Sequence, residues 1–168
     1  MDTIARKHSI EAHRAVNHYY DGSLDYQVHL DMAANFAKLF IHLIPEKDRK
    51  SVIAGVYEHD TIEDCGLTFN NVKDATNLMV AELAYACTNE KGRTRAERAN
   101  DKYYDGIRNT KYATFVKLCD RLANVKYSTT GGSRMADLYR KENDHFKSML
   151  YTGEYHEMWD LLDELLKK

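Results

Sequence analysis

Residues 56–66 read VYEHDTIEDCG and set His59 beside Asp60, with Glu63 and Asp64 following within four residues. Helical neighbours three and four apart share a face, so His59 falls near Glu63, and Asp60 near Glu63 and Asp64. Carboxylates crowded in this way repel one another and raise each other's pKa unless a cation compensates. A divalent metal is one solution. Imidazole nitrogen with carboxylate oxygen suits manganese, iron or zinc better than calcium or magnesium. A solvated acidic helix end is the other reading of the same letters.

Two distant stretches carry matching chemistry. YQVHL, residues 26–30, puts His29 in an apolar helix, where a satisfied core histidine is the ordinary alternative to a ligand. FVKLCDRLANVKYS, residues 115–128, lets Asp120 interrupt the apolar stripe of Phe115, Val116, Leu118, Cys119, Leu122 and Val125. A charge among apolar neighbours needs a partner or a metal. His29, His59, Asp60 and Asp120 are thus candidate ligands drawn from three helices.

The elements that must position them are read from periodicity and punctuation. Helices are expected over 2–20, with Ile4, His8, Ala12 and Ala15 or Val16 on one face, and over 26–43, with Val28, Met32, Phe36, Leu39, Phe40 and Leu43 inward. The stretch DGSLD, 21–25, reads as a turn between them. A third helix runs from Glu46 to about Asp60 and on through the acidic segment to Gly66. Thr68 and Asn77 read as N-caps of helices ending near Ala75 and Thr88. Helices over 94–107, 110–127, 134–151 and 155–165 complete the chain, with STTGGS, 128–133, as a flexible connection. Trp159, Leu161, Leu162, Leu165 and Leu166 are expected to pack the last helix on its own domain. The fold class is all-α, a bundle of seven to nine helices in a single domain over residues 1–168.

Composition excludes several classes. One proline and eight glycines leave few breakers. A net charge of −2 does not argue for nucleic-acid binding. No apolar run is long enough to span a membrane and no leader pattern opens the chain, so a cytoplasmic protein is expected. The three cysteines, Cys65, Cys87 and Cys119, lack CxxC spacing and read as free, mostly buried thiols.

The order H…HD…D resembles the HD-domain metal phosphohydrolases, and longer segments narrow the likeness. HDTIED is similar to the HDxxED of RelA/SpoT-type alarmone hydrolases and of the stand-alone small alarmone hydrolases. KLCDRLANVK is similar to their KLADRLxN, YQVH to their YxxH, and ACTNEK and GLTFNNV to stretches flanking the HD helix. The likeness runs from about Ile10 to Tyr127. It implies that His29, His59, Asp60 and Asp120 hold one divalent metal, manganese above iron or zinc. It implies that Glu63 and Asp64 position and deprotonate the attacking water. It also implies that Asn124 and Lys91 meet a nucleotide substrate.

A metal lowers the pKa of bound water and polarises a phosphoryl oxygen, and a nearby carboxylate takes the proton. Arg93, Arg95, Arg98 and Lys102 add charge around Lys91, and Tyr139 could reach the nucleotide from the penultimate helix. The implied activity is hydrolysis of the 3′-pyrophosphate of guanosine 3′,5′-bis(diphosphate)-type alarmones. The alternatives are another nucleotide (an adenine alarmone, NADPH or a nucleoside monophosphate) and a nucleotide-binding module without turnover. The chain departs from the likeness where Tyr20 and Asp21 stand for an Arg-Lys pair and Leu30 for a proline. The Arg is expected to pack against the base, and a Tyr20 ring could stack on a purine instead.

Overall fold

The computed structural model describes residues 1–131 and 135–167. Among them are eleven α-helices and one two-stranded ribbon, an all-α architecture. Two of the helices, α4 (Thr61–Asp64) and α7 (Arg95–Arg98), are single turns, which is why periodicity alone counts fewer.

α1 (Asp2–Ala15) stops five residues short of the expected Tyr20. Asn17 takes a left-handed φ of 54°, and the chain turns into an antiparallel ribbon of β1 (Tyr19–Tyr20) and β2 (Leu24–Asp25). The inner face of α1 is also shifted. Ala5, Ser9, Ile10 and His13 are buried, while Ile4 and Val16 face solvent. A polar pair, Ser9 and His13, sits where an apolar stripe was expected, because the His13 ring stacks on Tyr26 at 4.0 Å.

α2 (Gln27–Leu39) is rotated in the same way. It buries His29, Leu30, Ala33, Ala34 and Ala37, and leaves Val28 and Leu39 exposed. The alanine face lets α2 approach α3 (Arg49–Glu58) and α9 (Ala113–Gly131) closely, and His29 lies on that face. α3 packs against α1, α2, α9 and α6 (Leu78–Cys87). At its crossing with α6, a Cβ added to Gly55 would lie 2.6 Å from Leu83, so glycine sets the interhelical distance.

Thr68 closes a reciprocal cap with Asn71 at the start of α5 (Phe69–Ala75), and the Asn77 side chain caps α6, as expected. The expected helix over 94–107 divides into α7 and α8 (Asp101–Asn109). Ala99 leaves helical geometry and Asn100 caps the restart. Ser128 to Gly131 are helical rather than loop. The hydroxyls of Ser128, Thr129 and Thr130 bond back to the carbonyls four residues earlier, which gives these polar side chains partners inside the helix. The remainder of that expected connection, 132–133, and Arg134 lie outside the described residues. α10 (Met135–Leu150) and α11 (His156–Leu166) follow. α11 packs on α9 through Trp159, Leu162, Leu165 and Leu166, all buried. Cys65, Cys87 and Cys119 are free thiols, the last two buried. Among the described residues no helix is long and apolar enough to cross a membrane.

Candidate metal centre and cleft

The acidic segment is not one continuous helix. α3 ends at Glu58, and α4 restarts at Thr61, whose hydroxyl donates to the Glu58 carbonyl at 2.8 Å. His59 and Asp60 occupy the break, where their side chains leave the helix surface and turn toward α2 and α9. α2 supplies His29 and the middle of α9 supplies Asp120.

The ligand atoms converge. His29 Nε2 lies 3.3 Å from His59 Nε2 and 3.4 Å from Asp120 Oδ1. His59 Nε2 lies 3.6 Å from Asp120 Oδ1 and 2.9 Å from Asp60 Oδ2, and Asp60 Oδ2 is 3.7 Å from His29 Nε2. His29, His59 and Asp120 are buried and each points one donor atom into a common space within 4.8 Å. His59 Nδ1 donates to the Val56 carbonyl at 2.7 Å, which turns Nε2 toward the cluster. Burial opposes a charge on His59, yet Asp60 and Asp120 outweigh it and raise its pKa well above the usual value. Burial likewise opposes the charge on Asp120, and Lys117, His29 and His59 hold its carboxyl well below the usual range. His29, His59 and Asp120 could hold a metal ion, and imidazole with carboxylate suits a transition ion.

A surrounding layer holds these candidate ligands. The Tyr26 hydroxyl donates to Asp60 Oδ2. Lys117 Nζ sits 2.8 Å from Asp120 Oδ2, and Asn124 Nδ2 donates to Asp120 Oδ1. Sequence reading did not assign Tyr26 or Lys117, although each lies three residues before a ligand on the same helical face. That spacing was the available signal.

A cleft of about 370 Å³ opens on Asp60 and Asp120. Glu63, Asp64, Asn124 and Tyr139 line it. Both Glu63 oxygens are held by Asn89, through its backbone N–H at 3.1 Å and its side-chain amide at 2.9 Å. Burial, then the charges of Asp60 and Glu63, push the Asp64 carboxyl up to about 7. The Asp60 share of that push is what a bound cation would cancel.

The facing wall is basic. Arg95, Arg121 and Lys141 line it together with Glu142, which bridges Arg95 at 2.7 Å and Arg121 at 3.2 Å. The Arg121 guanidinium lies 4.5 Å from the Tyr139 ring and 4.7 Å from Phe146. Arg121 and Glu142 escaped the sequence reading because only the packing of α10 on α9 brings them together. Lys91 and Tyr20 are not among the residues that line the cleft. Lys91 lines an adjoining depression, with Tyr85 and Lys102, that shares Asn89 and Tyr103 with the cleft. Tyr20 packs its ring on His29 at 5.0 Å and 26° between planes, and its hydroxyl donates to Asn124 Oδ1 at 3.0 Å.

No known family profile matches the chain. The chain is similar to guanosine-3′,5′-bis(diphosphate) 3′-pyrophosphohydrolase MESH1 of Danio rerio, 31% identical over 75 residues. That stretch is 45% of this chain and 42% of the relative, so the chain spans less than half of the length of the protein it matches. The similarity supports a relationship to phosphohydrolases of the HD type over part of the chain.

Proposed function

We propose that the chain is a metal-dependent phosphohydrolase that removes the 3′-pyrophosphate of guanosine 3′,5′-bis(diphosphate)-type alarmones, with His29, His59, Asp60 and Asp120 as ligands of one divalent ion, manganese by preference. The observation that carries this reading is the convergence of His29, His59 and Asp120 donor atoms beside a cleft lined by Glu63 and Asp64. The partial similarity to a pyrophosphohydrolase supports the substrate class.

A divalent ion in this ligand set supplies a water of lowered pKa and polarises a phosphoryl oxygen. Glu63, held by Asn89, and Asp64 beside it would position that water, one of the two carboxylates taking its proton. Arg95, Arg121 and Lys141 bind phosphate oxygens, for which guanidinium forks are suited. Tyr139 borders the base.

The test is a product assay. Metal-stripped protein is mixed with guanosine 3′,5′-bis(diphosphate) and manganese, and the products are separated by anion exchange. GDP with pyrophosphate, lost in Glu63→Gln, is expected. No turnover with manganese bound would overturn the substrate assignment. One observation favours a second reading, in which the base differs. Tyr20 stands where an arginine is expected against the base, and it does not line the cleft. Orthophosphate release from NADPH or a nucleoside monophosphate would establish that reading. Tight nucleotide binding without turnover would mean a sensor.

A further inference from the structure

The two histidines of the cluster are oriented by different means. His59 is fixed through Nδ1, which donates to the Val56 carbonyl. His29 Nδ1 is buried and has no hydrogen-bond partner. A ligating imidazole normally gains its orientation from a hydrogen bond at the other nitrogen. For His29 that role falls to ring packing, and the stacked neighbour is Tyr20, at 5.0 Å and 26°. Tyr26 and His59 touch the same ring only at tilted angles of 58° and 55°.

Tyr20 also reaches the opposite ligand. Its hydroxyl donates to Asn124 Oδ1, and the amide then presents Nδ2 to Asp120 Oδ1. The Asp120 carboxylate accepts only, so it draws the Nδ2 end of the amide, and the Tyr20 hydroxyl completes the chain by donating to the Oδ1 left at the far side. Asp120 Oδ1 is the oxygen that faces both imidazoles, while Lys117 holds Oδ2. Tyr20 is itself anchored. It sits opposite Leu24 in the β1–β2 ribbon, whose tip turns through Asp21 and Gly22 at positive φ. Tyr127 from α9 donates to Asp21 at 2.9 Å and meets the Tyr20 ring edge-on at 4.8 Å.

We infer that Tyr20 is a positioning residue of the metal centre, not a contact of the substrate base: its ring orients His29 and its hydroxyl, through Asn124, orients Asp120. The inference rests on the metal reading above but not on the identity of the nucleotide.

Manganese binding, followed by electron paramagnetic resonance, tests this without substrate. Tyr20→Ala is expected to weaken manganese affinity by about 10- to 100-fold, the range typical of lost outer-layer support. Tyr20→Phe keeps the ring, loses the hydroxyl and weakens affinity less. It also shifts the visible absorption of the cobalt-loaded protein while the metal-free protein melts as wild type does. Combined with Asn124→Ala, Tyr20→Phe adds nothing further, because both act through one hydrogen-bonded chain. Wild-type manganese affinity in Tyr20→Ala would overturn the inference. A raised KM in that variant would then make Tyr20 a substrate contact. If wild type itself binds no divalent ion, the metal reading fails and the inference fails with it.

Discussion

The acidic and basic walls of the cleft are held by different forces. His29, His59 and Asp120 come from α2, the end of α3 and the middle of α9, helices that bury apolar faces against one another. Each of the three is under a tenth exposed, so the cluster is as fixed as the core around it. Arg95 sits on the single turn α7, and Glu142 on α10. They meet through an ion pair whose side chains are 47% and 30% exposed. Exposed pairs contribute roughly 0–1 kcal/mol and exchange partners readily. A core-mounted cluster keeps ligand atoms within ångströms of one another. The basic wall mixes the two: Arg121, buried on α9, pairs with Glu142 from the core side, while Arg95 pairs with it from the surface.

The largest effect should come from the core-mounted side. Asp120→Ala is expected to weaken manganese binding by more than about 100-fold, beyond what outer-layer losses cost, and to abolish hydrolysis with it. Full manganese occupancy in that variant, read by metal analysis after dialysis, would remove Asp120 from the ligand set. Glu63→Gln keeps the ligands and their apolar mounting. It should retain manganese and lose kcat by about 100-fold or more. An unchanged kcat would leave Asp64 as the proton acceptor.

The basic wall should respond differently. Arg95→Met is expected to raise KM about tenfold with kcat little changed, the pattern of lost binding that is uniform through the reaction. Lys91→Met, outside the cleft, should leave KM as it is. A fall in kcat for Arg95→Met would mean that the arginine acts on the reacting phosphate, and the contrast between the walls would weaken.

The smallest effect concerns the support beneath the metal centre. His8 on α1 bonds to Glu58 at 2.8 Å, and Glu58 is fully buried next to His59. That hydrogen bond raises the His8 pKa above 6.5. The charged pair therefore stabilises the fold fully below about pH 6.5, and the contribution fades as pH rises through the raised value. The melting temperature of the metal-free protein should fall between pH 6 and 8 by about 2 °C more than that of His8→Gln. Parallel pH profiles for the two proteins would show that the pair contributes nothing.

Local chemistry made much of this molecule readable. Few breakers and 3.6-residue periodicity dictate helices, and Thr68 and Asn77 announce their caps by side-chain type. His29 and Asp120 stand out in the sequence because an imidazole or carboxylate on an apolar helix calls for a partner, and His59 and Asp60 because they stand side by side ahead of two more acids. The lengths and faces of α1 and α2 were decided elsewhere. Ser9, His13 and a row of alanines are buried while Ile4, Val16, Val28 and Leu39 face solvent, since close helix contact rewards small side chains and the His13 ring stacks on Tyr26. The roles of Tyr20, Lys91 and Glu142 are long-range matters. Tyr20 and Asn124 are 104 residues apart, and Arg95 and Glu142 are 47 apart. Spacing along one helix says which residues share a face. Only the packing of helices says which faces meet, and that decided which expected contacts reach the cleft.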